Sequence, residues 1–88
     1  MPKDDKLDPD IFPQRCAFKI IARDEDTVQT LIKNTLRDMG LNAPLTQGRS
    51  SSSGHYISLS FVTVVDSQDH MRGIVAELSR VDGVKVVL

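Results

Sequence analysis

Two stretches with the repeat of an amphipathic helix are threaded among stretches with the alternation of β-strands, and this order leaves a short chain few ways to fold. From Arg15 to Ala22, Cys16, Phe18 and Ile20 fall on one side and Ala17, Lys19 and Ile21 on the other. Apolar residues on both sides place this strand in the middle of a sheet. Val28, Leu31, Ile32, Thr35, Leu36 and Met39 then recur at helical spacing and form one apolar stripe. Asp24, Glu25 and Asp26 are acidic N-cap candidates, suited to the positive end of the helix dipole, and Gly40 is the expected stop.

The second half repeats the theme. Leu41 to Arg49 reads as a strand containing Pro44, which has no N–H to give to a ladder, so it belongs at an edge. Arg49 to Gly54 is a polar turn, too short for a domain linker. His55 to Val65 is a long strand, with Ile57, Leu59, Phe61 and Val65 on one face and Tyr56, Ser58, Ser60, Val62 and Val64 on the other. Asp66 or Ser67 caps a second helix whose buried stripe is Met71, Ile74, Val75 and Leu78. Asp82-Gly83 turns the chain into a final strand, Val84 to Leu88.

Strand, helix, strand, strand, helix, strand, joined by right-handed crossovers, predicts an α+β, ferredoxin-like βαββαβ two-layer sandwich. Its sheet is antiparallel in the order 4-1-3-2, with both helices on one face. The predicted core is Phe18, Ile20, Ile57, Leu59, Phe61, Val84 or Val86, and the two helical stripes. Residues 1–10 are polar and acidic with only Leu7 to bury, so they are expected to be a disordered tail ahead of a domain over 11–88. Ile11, Phe12 and Pro13 are expected to clip an apolar pair onto that domain.

Composition removes several function classes. Eighty-eight residues hold one domain, and 40% hydrophobic with 26% charged residues is ordinary globular usage. The apolar run at Phe61 to Val65 is far short of the roughly 20 residues that cross a bilayer. The polar first ten residues lack the apolar core of a signal peptide, and the single Cys16 fits a reducing compartment, so a cytoplasmic location is expected. A net charge of −1, with 11 basic residues scattered among 12 acidic ones, argues against nucleic acid as the partner.

No catalytic, cofactor or metal site is expected from the remaining residues. Cys16 has no CxxC partner and reads as a half-buried thiol. His55 and His70 fall at a strand start and a first helical turn that the topology keeps apart, with no nucleophile placed beside either. Asp24 to Asp26 lacks the spacing and glycine of a calcium loop. Arg49, Ser51, Ser52, Ser53 and Gly54 form the best mobile binding loop, although the spacing and lysine of a phosphate loop are absent. Tyr56 lies on the face where RNA-recognition motifs stack bases, but those domains carry several aromatics there and this chain has one. That same face shows Ile21, Tyr56, Val62, Val64 and Val87, which predicts docking of a protein partner or of a second copy.

Phe12-Pro13 ahead of the first strand, Ser52-Ser53-Gly54-His55-Tyr56, and the ending Glu77-Leu78 through Val81-Asp82 to Val84-Lys85-Val86-Val87-Leu88 resemble the YbeD-like family. These are small bacterial proteins of unknown function, often labelled as lipoic-acid-binding regulatory proteins. The resemblance spans about Ile11 to Leu88. It implies a sandwich similar to ACT domains, the small-molecule-sensing modules of metabolic enzymes, a cytoplasmic bacterial setting and no enzymatic activity. ACT domains commonly carry a glycine between the first strand and first helix, where the effector approaches the backbone. Ala22-Arg23-Asp24-Glu25-Asp26 has none, and its side chains would crowd an amino-acid carboxylate. The resemblance thus leads to a non-enzymatic regulatory or binding module without a cofactor, with sensing of a small lipoate-like acid as the alternative and RNA binding behind it.

Overall fold

The structure is a computed structural model that describes residues 12–50 and 54–88, with the side chains of Arg49 and Ser50 left out. The expected tail, Ile11 of the apolar clip, and Ser51, Ser52 and Ser53 of the expected loop lie outside the described residues. The elements are β1 (Gln14–Arg23), α1 (Asp26–Asp38), β2 (Thr46–Ser50), β3 (Tyr56–Val65), α2 (Gln68–Ser79) and β4 (Val84–Val87). They form one antiparallel sheet in the order β2-β3-β1-β4, the order read from the sequence.

β1 and β3 are the spine. Ten residues of each are paired without a break, from Gln14 opposite Val65 to Arg23 opposite Tyr56. Phe18 and Phe61 are direct partners in this ladder, and their rings stack at 5.0 Å with an 11° tilt. Directly opposed residues share a face, so this register sends Phe18, Ile20, Ala22, Ile57, Leu59, Phe61 and Val65 to the helices, and all seven are buried. From the helices come Val28, Ile32, Leu36, Ile74 and Leu78. No polar or charged side chain is buried with them among the described residues, so this core is held by apolar burial alone. Phe12, the described member of the clip, packs against its margin.

The helix ends follow local chemistry. α2 is capped by Ser67, whose Oγ accepts the His70 N–H at 3.0 Å, while His70 Nδ1 accepts the Asp66 N–H at 3.0 Å. Two backbone N–H groups at this helix start are thus satisfied by two side chains one turn apart. α1 ends in a Schellman motif: Gly40, at φ +78°, donates to Arg37 O, and Leu41 donates to Leu36 O, both at 2.9 Å. At its start the N-cap position is Glu25, which makes no side-chain capping bond. Asp26 in the first turn supplies negative charge to the dipole instead.

Three expectations are corrected. β2 begins at Thr46, two residues after Pro44 rather than around it; Leu41, Ala43 and Leu45 pack onto the core from an irregular approach. Leu31 is 45% exposed, because the line Val28, Ile32, Leu36 points at the sheet and Leu31 falls on its flank, beside Val81 and Arg80. Finally, β4 carries a bulge. Ile20 faces Val87 and Ile21 faces Val86, but Ala22 faces Val84, so Lys85 is the extra residue. Lys85 and Val86 therefore both face away from the helices while Val84 and Val87 turn inward, as the burial pattern of the strand shows. Val87 packs against the core and does not belong to the open face; Val86 takes its place.

Candidate docking face

The side of the sheet away from the helices is uncovered among the described residues, and the strand register says which side chains it shows. Ala17 lies opposite Val62 and Arg15 opposite Val64 at one end, Lys19 opposite Ser60 in the middle, and Ile21 between Ser58 and Val86 towards the other end. Val62, Val64 and Val86 are 44%, 50% and 39% exposed, Ala17 is exposed and Ile21 half-buried. Of the residues expected here, Ile21, Tyr56, Val62 and Val64 lie on this side and Val87 does not, and the Lys19–Ser60 pair divides the apolar surface into two ends. At the Val62 end, Arg15, Ala17, Pro44, Thr46 and Ser60 border a shallow concavity of about 340 Å³.

At the opposite end Tyr56 is half-buried, and Lys85 Nζ sits 4.6 Å from its ring centre, within cation–π range. One ring face is thus already engaged by an ammonium that the β4 bulge places there. The exposure of Val86 was not readable from alternation, which puts Lys85 and Val87 on the Tyr56 side of the sheet and Val86 on the other. Ala17 was readable, since it alternates with Phe18.

The other candidate residues do not converge. His55 and His70 flank β3, whose ten residues span roughly 30 Å. Cys16 is half-buried against the core. Among the described residues no three of His, Cys, Asp and Glu gather closely enough to hold a metal ion. Gly54 turns the chain into β3 at φ +78°, and Arg49 lies in β2; Ser51, Ser52 and Ser53 are outside the described residues. Where β1 leaves the sheet, Arg23 pairs with Glu25 at 3.4 Å and with Asp82 at 3.8 Å, tying two loops together by exposed ion pairs worth little in stability. No helix among the described residues is long and apolar enough to cross a membrane.

Comparison with known proteins fixes the family. The family described as "Protein of unknown function (DUF493)" matches residues 11–88. The chain belongs to that family. The resemblance read from Phe12-Pro13, the Ser-Gly-His-Tyr turn and the Val-Leu ending therefore holds. The DUF493 chain is 29% identical over 77 residues to a UPF0250 protein of Shewanella frigidimarina, covering 88% of each. The solution structure of protein HP0495 from Helicobacter pylori superposes with a TM-score of 0.80 at 23% identity, covering 100% of this chain and 94% of that one. The ACT domain of the GTP pyrophosphokinase of Chlorobium tepidum superposes with a TM-score of 0.69 at 15% identity, covering 84% and 94%. At these identities the structural likenesses establish an ACT-like fold and nothing finer.

Proposed function

We propose that this DUF493 chain is a non-enzymatic regulatory or binding module that acts by protein–protein contact or self-association through the open side of its sheet. The observation that carries the reading is the exposure of Val62 and Val64 on a strand whose other large apolar residues, Ile57, Leu59, Phe61 and Val65, are sealed in the core. Covering what remains exposed of each half-exposed valine is worth about 1 kcal/mol. The Lys19–Ser60 pair between the two apolar ends supplies hydrogen bonds that would orient a partner. A cytoplasmic setting suits the lone thiol.

Val62→Asp combined with Val64→Asp tests the reading, since both side chains are exposed and the fold should survive. Sedimentation across micromolar to millimolar concentrations should show association for the natural chain and a monomer for the variant, or the natural chain should retain a protein partner that the variant releases. A natural chain that is monomeric throughout and retains nothing the variant does not would sink the proposal.

A second reading, the sensing of a small amphipathic acid, has one observation in its favour. Beside the C-terminal turn of α1, Leu36, Leu41, Ala43 and Leu45 line a surface groove of about 540 Å³ that also carries Lys33 and Arg37. An apolar floor with cations beside it suits a carboxylate on a short hydrocarbon chain. Octanoate or lipoate should then raise the melting temperature of the natural chain but not of a Lys33→Gln, Arg37→Gln variant.

A further inference from the structure

The sheet sorts its charge by sign. Its four strands contain Arg15, Lys19, Arg23, Arg49 and Lys85 but no aspartate or glutamate, although the net charge of the chain is −1. Among the described residues, every Asp and Glu belongs to α1, α2 or a connection. The register turns four of these cations to the open side: Arg15 lies opposite Val64, Lys19 opposite Ser60 and Arg23 opposite Tyr56, and β4 adds Lys85 over the Tyr56 ring. Arg23 is engaged at the rim by Glu25 and Asp82. Arg15, Lys19 and Lys85 are exposed. Outward side chains recur about every 6.6 Å along a strand, so Arg15, Ala17, Lys19 and Ile21 form a row in which the two cations stand about 13 Å apart. Val62 lies across from Ala17, and Val86 across from Ile21. The face thus alternates cations with apolar pairs.

That alternation selects among occupants. A second copy centred on the same face would set Lys19 against Lys19, and one shifted to the Val62–Val64 end leaves Lys19 and Lys85 uncovered. Stacking the face on the helices of a second copy repeats without closing, which makes a fibre and not a dimer. A nucleic-acid strand matches the cations but sets an evenly charged backbone over Ala17, Val62 and Val86, and one face of the Tyr56 ring is already taken by Lys85. A protein surface that alternates carboxylates with small apolar side chains matches both halves of the pattern.

We infer, resting on the open-face reading above, that the partner is a different protein with an acidic and apolar docking surface. It sets aspartate or glutamate side chains over Arg15, Lys19 and Lys85, and apolar side chains over the Ala17–Val62 and Ile21–Val86 pairs. The cations steer the encounter and fix the partner's register, while burial of the valines holds it in place.

The test uses the full-length chain in an extract of its source cells. Zero-length carbodiimide coupling joins a lysine amine to a carboxylate in contact with it, and should link Lys19 or Lys85 to an aspartate or glutamate of another protein. Retention of that protein should fall at least about tenfold in a Lys19→Glu, Lys85→Glu variant and persist in Lys19→Arg, Lys85→Arg. It should also weaken as salt rises from about 0.1 to 1 M, where the screening length shortens from about 10 to 3 Å. Links from these lysines only to carboxylates of this same sequence, or a partner lost on nuclease treatment, would overturn the inference. So would a partner that Val62→Asp, Val64→Asp releases while the charge reversal keeps it, which would leave the open face as the docking site for a partner of other chemistry. If neither variant changes what is retained, the open-face reading itself falls and the acidic partner with it.

Discussion

Replacing Gly83 with alanine should destabilise the domain by about 2–5 kcal/mol, and the structure separates two causes. Gly83 turns the chain from α2 into β4 at φ +102°, a backbone state that an L side chain reaches only at a cost of about 1–2 kcal/mol. A Cβ there would also lie 2.5 Å from Val28 Cγ2 and 3.0 Å from Val28 Cγ1. Val28 is buried in α1 and, being β-branched, has one strongly preferred rotamer in a helix, so it cannot swing aside. Overpacking of this kind adds about 1–3 kcal/mol. Gly40 provides the control: its φ is +78° and an added Cβ meets nothing within 4 Å, so Gly40→Ala should cost only the backbone part, about 1 kcal/mol. Urea denaturation of both variants, with Val28→Ala and the Gly83→Ala, Val28→Ala double variant, measures the steric part as a coupling energy. The double variant should be more stable than the sum of the single losses predicts by about 1–3 kcal/mol. Equal losses at Gly40 and Gly83, or strict additivity with Val28, would refute the claim that the Gly83 turn is packed against α1.

Other outcomes follow from the same contacts. Ser67→Ala should cost about 1 kcal/mol in thermal or urea unfolding by freeing the His70 N–H at the start of α2. Leu31→Gln should stay within about 0.5 kcal/mol of the natural chain, whereas Ile32→Ala should lose about 2–5 kcal/mol; a large loss at Leu31 would restore it to the core. Val86→Ser should leave the urea midpoint nearly unchanged while Val87→Ser lowers it, and the reverse order would place the β4 bulge elsewhere.

The spine of the fold was legible because its signals are redundant. β1 and β3 each alternate over ten residues, and facing partners such as Phe18 and Phe61 agree on which side is the core, so a slip in one strand would contradict the other. α1 was legible through its stripe and through Gly40, α2 through its stripe and Ser67. What failed lies where local pattern is ambiguous. A run of valines such as Val84 to Val87 is apolar on both faces, and the bulge that decides its orientation depends on how β4 meets β1, a tertiary fact. Leu31 shares the helical stripe in sequence, but a helix over a sheet buries a narrower line than its apolar residues offer, and which flank is covered depends on the neighbouring helix. Pro44 marked the edge strand correctly while misplacing its start.

The bulge also changes what the open face can do. With regular alternation, Val84 and Val86 would turn inward together, and Lys85 and Val87 would face out. By doubling Lys85 and Val86 on the open side, the strand sets a cation over Tyr56 and an exposed valine beside Ile21, while Val84 and Val87 seal the core behind them. The face thus acquires a polar, positively charged corner next to one apolar end, and a concavity with Val62 and Arg15 at the other. A symmetric partner docked across the middle would bring Lys19 towards its own copy, a like-charge contact that disfavours centred self-pairing. Self-association through this face should therefore be offset towards the Val62–Val64 end, and Lys19→Glu should alter it far less than Val64→Asp when both are compared by sedimentation. A larger effect from Lys19→Glu would instead place the contact at the centre of the sheet.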